Sequence, residues 1–340
     1  MRSFSADKVA EMRRRAQAIA EESGLKEAGR RTNRMIGAAL QTQSLPTASP
    51  LLSARQTGVP YDPAREQLFD RLHDALQASA PMTIIAWADD AERRATLPFW
   101  EAYFSNFIEG TEFTVDEAVA IVYDNRIPAG RPLDAHDIVD TYRVLADDTE
   151  MSQRPSTFAE FEETLLRRHR RIMLARPDVG PGAYKESPNR AGTTLFVAPE
   201  LVRGTLLRGW DRLSQLANPV HRAFFAMFLV AEVHPFADGN GRTARIMMNS
   251  ELHAAGEGRA IIPIVYRNEY LDALRRLSRE GDPGLLLRVL DFGRRYTAAI
   301  DFSAIDVSRQ QLDATNAFIS PDEALTRGRY LTIPGAADSP

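Results

Sequence analysis

Residues 219–233 constrain the fold of this chain more than any other segment, because they predict a helix that is apolar on every side. Asn218 is a favourable N-cap and Pro219 a favourable first helical residue. The side chains that follow leave no polar face: Phe224, Phe225, Met227, Phe228, Leu229 and Val230. Such a helix has to be buried at the centre of a domain. The rest of the chain must therefore provide elements that enclose it.

The segments around this central helix predict further helices. From Leu97 to Ile108 the apolar side chains recur at helical spacing on one face, and Gly110 is placed to end that helix. Ser156 is the expected N-cap of a helix that reaches Leu174. We expect further helical structure within 5–40, at 64–79, 116–123 and 135–145, from just after Gly241 to about 255, and at 268–280 and 283–299.

One segment departs from the helical pattern. Residues 184–197 predict a β-hairpin, with strands at 184–187 and 193–197 around a turn at 188–192. We therefore expect an all-α, mostly helical fold with a small β-hairpin.

Four regions follow along the chain. Residues 1–63 form a helical N-terminal arm and a linker, because 41–63 are rich in Pro, Ser and Thr. Residues 64–155 form an N-terminal helical region, and 156–299 form the core. The polar tail at 300–340 is expected to fray.

The composition excludes several classes of protein. With 44% hydrophobic and 26% charged residues among 340, the chain is an ordinary globular protein. Its net charge of −4 gives no overall basic surface, so we expect no nucleic-acid partner. Because cysteine is absent, disulfides and thiolate catalysis are excluded.

Neither a membrane segment nor a secretory signal is expected. The longest apolar stretch is interrupted by Glu232 and is far shorter than the ~20 residues that span a bilayer. The first residues lack the apolar core of a secretory signal. We expect a cytoplasmic protein, and export by a specialised secretion system would leave no such trace.

The run HPFADGNGRTAR, residues 234–245, follows the central helix directly. Gly239 and Gly241 tolerate positive φ, so the backbone N–H groups around Asn240 can point into one concavity. Such a nest at the start of a new helix binds anions, helped by the helix dipole. The turn therefore predicts an anion site, although a Gly-Asn-Gly turn alone is more often structural.

Four side chains in the same run suit a bound phosphate. Arg242 and Arg245 lie at i and i+3 of the new helix, and guanidinium groups match phosphate oxygens. Asp238 precedes the nest, and a carboxylate beside phosphates typically holds Mg²⁺. His234 ends the central helix and can take a proton near neutral pH. Each feature alone is more often structural, but together they predict phosphate chemistry outside a P-loop, whose Gly-Lys-Ser/Thr signature is absent.

The run matches every defined position of H-x-F-x-(D/E)-G-N-G-R-x-x-R, and residues 156–299 resemble the Fic family. The resemblance implies transfer of AMP from ATP to a hydroxyl group of a target protein, with Mg²⁺. It implies these roles: proton acceptor for His234, metal ligand for Asp238, anion hole for Gly239, Asn240 and Gly241, β/γ-phosphate binding for Arg242, and γ-phosphate binding for Arg245. Related Doc-type kinases carry Lys at the position of Gly241, so this glycine favours nucleotidyl transfer.

The predicted hairpin corresponds in position to the flap of Fic proteins, whose edge pairs with a target segment as an added strand. The resemblance implies that flap residues dock the target: Lys185, Glu186, Thr193, Thr194 and Leu195. From the residues alone, a plain surface connection stays the alternative. Because such pairing uses backbone atoms, the target is not identified by these side chains.

A second motif precedes the core. Glu109 carries a negative charge at the end of a helix, where the dipole disfavours it, and such a local conflict suggests function. The string SNFIEG, from Ser105 to Gly110, resembles the (S/T)-x-x-x-E-(G/N) inhibitory motif of Fic proteins with an N-terminal inhibitory helix. The resemblance implies that Glu109 pairs with Arg245 in place of the γ-phosphate. A solvated glutamate is the alternative.

The primary prediction is an autoinhibited protein adenylyltransferase that acts on Ser, Thr or Tyr hydroxyls of a target or of itself. Its partners would be ATP and a hydroxyl-bearing protein, and the resemblance makes a homodimer an expectation. The same site could instead remove AMP, with Glu109 aligning a water, or use another nucleotide donor.

Two further alternatives lie in other classes. One is a non-catalytic Fic-like binding or toxin-control protein, against which the intact His234, Asp238 and Arg245 argue. The other is a metal-dependent phosphohydrolase, for which further ligands are lacking.

Overall fold

The computed structural model describes residues 6–39, 59–86 and 94–334. Within these ranges the chain is mostly helical, with one short antiparallel hairpin and an isolated bridge. The predicted fold class is therefore confirmed. The predicted linker at 41–63 lies outside the described residues except for 59–63. None of the described helices is long and apolar enough to cross a membrane.

We number the described helices α1 to α15 in chain order, as Ala6–Glu22, Lys26–Ala39, Pro63–Ala78, Leu97–Ile108, Val115–Asp124, Pro132–Leu145, Asp148–Met151, Phe158–Ile172, Val202–Leu213, Pro219–Val233, Asn240–Ala254, Arg267–Glu280, Gly284–Ala299, Ile305–Ala314 and Pro321–Arg327. The hairpin strands are β1, Arg190–Ala191, and β2, Thr194–Leu195. Short 3-10 turns lie at Pro177–Val179, Pro199–Leu201 and Ile264–Tyr266.

Helix α8 begins one residue later than predicted. Its N-cap is Thr157, whose hydroxyl accepts a hydrogen bond from the Glu160 N–H at 3.3 Å. The predicted cap, Ser156, instead donates its own N–H and hydroxyl to the Glu160 carboxylate at 2.8 Å. Both residues therefore use the same glutamate, which explains why the sequence placed the cap one residue early.

Helices α10 and α11 form the centre of the molecule. Asn218 caps α10 as predicted, because its side chain accepts from the His221 N–H at 3.1 Å and Pro219 follows it. The apolar side chains of α10 are buried all round, against α3, α9 and α11. Gly209 of α9 allows close packing, since a Cβ there would overlap the side chain of Leu229. The predicted central helix is confirmed.

A second apolar cluster packs around α4. Trp100 and Phe104 of α4 are buried, and the Phe104 ring stacks on Phe318 with centroids 5.7 Å apart. The Trp100 indole N–H donates to the Ser308 hydroxyl at 2.6 Å. Phe302 is also fully buried, and its carbonyl accepts from the Thr96 N–H and hydroxyl.

The expectation of a frayed C-terminal tail was therefore wrong for residues 301–334. These residues form α14 and α15 and close the second apolar cluster. Their few apolar side chains are spaced singly among polar ones, so the sequence shows no strong periodicity, yet Leu312 and Ala317 are fully buried.

The hairpin is shorter than predicted and lies further along the chain. Arg190 pairs with Leu195 and Ala191 with Thr194, so the turn is formed by residues 192–193 and not by 188–192. Gly192 takes a positive φ of 56° there. Residues 184–187 form no strand, and the Lys185 N–H and ammonium instead donate to carbonyls of the loop after α10.

Candidate active site

His234 ends α10 in a left-handed conformation, with φ 52° and ψ 59°. Its Nδ1 lies 3.2 Å from the Ala231 carbonyl, which can only accept, so Nδ1 carries the proton. Nε2 is then the unprotonated nitrogen. The imidazole stacks in parallel on Phe196 of the hairpin segment, with ring centroids 3.7 Å apart. The end of α10 and the hairpin segment together fix the orientation of the ring and leave Nε2 available as a base.

The surroundings of His234 keep it neutral. Burial lowers the pKa of its imidazole to about 4, and the nearby ammonium of Lys185 acts in the same direction. Glu109 and Asp238 raise this pKa but do not outweigh burial. At neutral pH the ring is therefore a base that can accept a proton.

Asn240 organises the turn with its side chain and the anion site with its backbone. Its Oδ1 accepts from the Phe236 N–H at 2.8 Å, and its Nδ2 donates to the Phe236 carbonyl at 2.9 Å. Among the described residues, no acceptor meets the backbone N–H groups of Asn240, Gly241 and Arg242. The first turn of α11, with Gly239 as its N-cap at φ 73°, thus presents free donors to an anion.

Glu109 lies directly over this first turn. A Cβ on Gly241 would overlap the Glu109 carboxylate, which therefore fills the space beside the free N–H groups. The carboxylate accepts from Arg245 Nη2 at 2.7 Å. As predicted, α4 ends here and Gly110 takes a positive φ of 92°. The residues of the two sequence motifs thus meet at one point in space.

Arg245 is held on three sides. Its Nε donates to the Ser105 hydroxyl and its Nη2 to the Ser105 carbonyl, both at 2.9 Å. Its guanidinium carbon lies 5.9 Å from the centroid of the Tyr270 ring. Burial alone would lower the pKa of Arg245, but Glu109 and Tyr270 outweigh it and raise that pKa. Arg245 is therefore a fixed cation under the cleft.

Arg242 does not face the cleft. Its buried guanidinium pairs with Asp137 of α6 at 3.2 Å and donates to Asn106 Oδ1 at 3.3 Å. Arg176 pairs with the same Asp137 carboxylate at 2.8 Å. The role of Arg242 in binding phosphate stays a prediction. In the structure its guanidinium belongs to a buried network with Asp137 and Asn106.

Sequence reasoning missed Asp137 and Asn106. The signal for Asp137 was a carboxylate on the helical face it shares with Val144, which is buried. Nothing in the sequence paired it with Arg242, which lies more than one hundred residues away.

Asp238 is the predicted metal ligand. Its side chain is exposed, and one oxygen accepts from the Gly239 N–H at 2.7 Å. Within the described residues, no group of three or more His, Asp or Glu side chains could hold a metal. A Mg²⁺ ion would thus need phosphate oxygens as further ligands, which fits a cation that prefers one or two carboxylates.

His234, Gly241, Arg245 and Glu109 line one cleft of about 670 Å³. Residues of α12 also line it, as do residues 191–194 and Phe196 of the hairpin segment.

Two arginines tether the hairpin over the cleft. Arg65 donates to the Leu195 carbonyl at 2.6 Å, and Arg279 donates to the hydroxyls of Thr193 and Thr194 at 3.1 Å. The Leu195 side chain is 63% exposed, so the hairpin presents an accessible edge residue.

The predicted docking residues fall into two groups. Thr193, Thr194 and Leu195 lie in the hairpin, and Glu186 is exposed before it. Lys185 is buried and donates to the His234 carbonyl at 2.7 Å, so it is not free to contact a target. Docking by the other four residues stays a prediction.

Comparison with known proteins shows what the chain is similar to. Residues 158–252 match the Fic/DOC family. The chain is 29% identical over 230 residues to Protein adenylyltransferase Fic of Culex quinquefasciatus, with 65% of this chain and 44% of that protein covered. Protein adenylyltransferase Fic of Drosophila yakuba is 30% identical over 235 residues, with the same coverage. The chain thus spans less than half the length of the curated relatives it matches.

Solved structures share the fold. Fic-1 (residues 134–508) of C. elegans superposes with a TM-score of 0.52 at 21% identity, covering 88% of each chain. A Fic domain containing signaling protein of Bacteroides thetaiotaomicron gives a TM-score of 0.50 at 20% identity, covering 80% of this chain and all of that one. The resemblance seen in the sequence is confirmed.

Proposed function

We propose that this chain, which carries a Fic/DOC-family domain, is a protein adenylyltransferase that transfers AMP from ATP to a hydroxyl group of a protein. One observation carries the proposal: a neutral imidazole with a free Nε2 and a helix N-terminus with free backbone N–H groups open into the same cleft. The first is a proton acceptor, the second an anion site. The names of the curated relatives support the same reaction.

The reaction would balance as follows in this site. The target hydroxyl gives its proton to Nε2 of His234, and its oxygen bonds to the α-phosphorus of ATP. The bond from that phosphorus to the bridging oxygen of the β-phosphate breaks, and pyrophosphate leaves. The N–H groups at Gly241 stabilise phosphate charge. Mg²⁺, if held by Asp238, would supply further neutralisation of that charge.

We further propose that Glu109 inhibits the resting protein. Its carboxylate already occupies the positions beside Gly241 and Arg245 that a terminal phosphate would need. Two anions cannot share that site, because like charges at contact distance repel strongly. Release of Glu109 would open the anion site without moving His234.

Replacement of Glu109 by glycine tests both proposals. A charged hydrogen bond contributes about 1.5–3 kcal/mol, so we expect at least about a tenfold rise in label transfer from ATP labelled on the α-phosphate. Glu112→Gly is the matched control, since Glu112 is an exposed glutamate just beyond α4, and should leave transfer unchanged.

The other outcomes discriminate the alternatives. Transfer only from the γ-phosphate would indicate a kinase. Release of AMP from a previously modified protein, abolished by Glu109→Gly, would indicate AMP removal. Absence of α- and γ-phosphate transfer in the glycine variant, together with absence of AMP release by the unmodified protein, would contradict enzymatic function. The homodimer and the cytoplasmic location remain predictions from the sequence.

A further inference from the structure

We propose that Lys185, together with Asn189, is a positioning residue that holds His234 in its catalytic conformation. The inference rests on the proposed function, in which His234 accepts the proton of the target hydroxyl. Lys185 lies outside the HPFADGNGRTAR run and is 5% exposed. Its ammonium donates to the His234 carbonyl at 2.7 Å and to Asn189 Oδ1 at 2.6 Å.

The conformation of His234 needs external support. A residue with a Cβ is disfavoured in the left-handed region because its Cβ lies too close to a backbone carbonyl oxygen, and His234 has a φ of 52°. Such a conformation persists only if contacts from the surrounding structure hold it in place. A cation at the carboxyl end of α10 is favourable, because it binds a terminal carbonyl and complements the helix dipole.

One short segment binds three successive carbonyls of the loop. The Lys185 ammonium donates a hydrogen bond to the His234 carbonyl. The Lys185 backbone N–H donates to the Pro235 carbonyl at 2.9 Å. Asn189 Nδ2 then donates to the Phe236 carbonyl at 2.8 Å. Residues 185–189 therefore act as a template for the backbone from His234 to Phe236.

The same segment also connects the loop to the hairpin. The Asn189 carbonyl accepts from the Phe196 N–H at 3.2 Å, and the Phe196 ring stacks on His234. The backbone and the ring of the base are thus both held by one piece of chain. A change at Lys185 should move both.

The charge of Lys185 also affects the pKa of His234. Among the described residues, the hydrogen-bond partners of its ammonium are neutral oxygens, and the charge of Arg65 acts on it. Burial and Arg65 lower the pKa of Lys185 to about 8, so it is mostly protonated at neutral pH. The charged groups that act on His234 are Lys185, Glu109 and Asp238, of which Lys185 alone favours the neutral ring.

The test compares Lys185→Met with Lys185→Arg, each in the Glu109→Gly background. We expect Lys185→Met to lower kcat for AMP transfer by about 10- to 100-fold, as small misplacements of catalytic groups do, with KM for ATP within about twofold. Lys185→Arg keeps the charge and the donors and should recover most of the rate. Lys26→Met, at an exposed lysine of α2, is the matched control.

A proton NMR titration of the His234 ring provides a readout that does not depend on activity. The ring should stay neutral down to about pH 4 with Lys185 present. In Lys185→Met the pKa of His234 should rise, because a nearby cation is lost. The acidic limb of the pH–rate profile should then move to higher pH.

The outcomes separate this inference from the proposed function. Unchanged kcat and an unchanged His234 titration in Lys185→Met would overturn the inference. Absence of transfer in Glu109→Gly itself would overturn the function, while the titration would still test the positioning. If Lys185→Met does not fold, Asn189→Ala replaces it, with an expected several-fold loss of kcat. An unchanged rate in that variant would equally contradict the proposal.

Discussion

The loop that carries the base and the glutamate that obstructs the cleft are built in opposite ways. In the loop from His234 to Gly239, the carbonyls of residues 234, 235, 236, 238 and 239 each accept a hydrogen bond from an element outside the loop. Glu109 ends its helix where the dipole disfavours it, is 32% exposed, and depends on one ion pair with Arg245.

The difference teaches that the reactive groups are assembled before the nucleotide arrives, whereas the obstruction depends on a single side chain. A loop with five of its six carbonyls bound cannot rearrange without breaking several hydrogen bonds at once. Glu109 has one strong partner, so its displacement breaks only the ion pair with Arg245. Regulation by displacement of Glu109 would therefore leave the base in place.

Loss of the base should have the largest effect. In the Glu109→Gly background, His234→Ala should lower AMP transfer by about 10²–10⁴-fold, the usual contribution of a general base. Nucleotide affinity, measured by calorimetry, should change little because the anion site is intact. His73→Ala, at a histidine of α3, is the control. If transfer survives in His234→Ala, His234 is not the base, and the contrast between the loop and Glu109 no longer concerns catalysis.

Loss of the buried carboxylate behind the loop should come next. Asp137 is 3% exposed and pairs with both Arg242 and Arg176. Asp137→Ala should lower the free energy of unfolding by about 3–5 kcal/mol, because it leaves buried charge unpaired. Urea denaturation measures this.

Asp134→Ala is the matched control for that change. Asp134 also pairs with Arg176, but its side chain is 32% exposed, so the expected loss is at most about 1 kcal/mol. Equal losses in both variants would show that the Asp137 network is not a special support of the site.

Weakening the obstruction without removing it should have the smallest effect. Ser105→Ala deletes the hydroxyl that accepts from Arg245 Nε. A net hydrogen bond contributes about 1 kcal/mol, so we expect about a fivefold rise in transfer with Glu109 present, measured as α-phosphate label incorporated into protein. Ser105→Thr keeps the hydroxyl and should behave as the unmodified protein. A rise as large as that of Glu109→Gly would mean that Glu109 is not the main obstruction.

Local patterns predicted much of the fold and most of the site. The cap and apolar run of α10 predicted the central helix, and the end of α4 at Gly110 was foreseen. His234, Gly241, Arg245 and Glu109 do line one cleft. These succeeded because the information lies within a few residues of the feature itself.

What the sequence did not foresee has a different cause. It gave no sign that the Lys185 ammonium contacts the His234 carbonyl or that Arg242 pairs with Asp137. The tail after Asp301 was expected to fray but packs against Trp100. Each depends on a partner distant in sequence, and no local spacing specifies which partner a buried charge or a single apolar side chain will meet.

The sequence by itself determined which chemistry is present, because a base, a carboxylate, two glycines and two arginines are joined by covalent spacing within one run. Only the tertiary structure decided how they are used. Burial sets the pKa of His234, and packing brings Glu109 onto Gly241 from a helix more than one hundred residues away. Dielectric environment and contact across the core arise from packing, so they exist only in the folded chain.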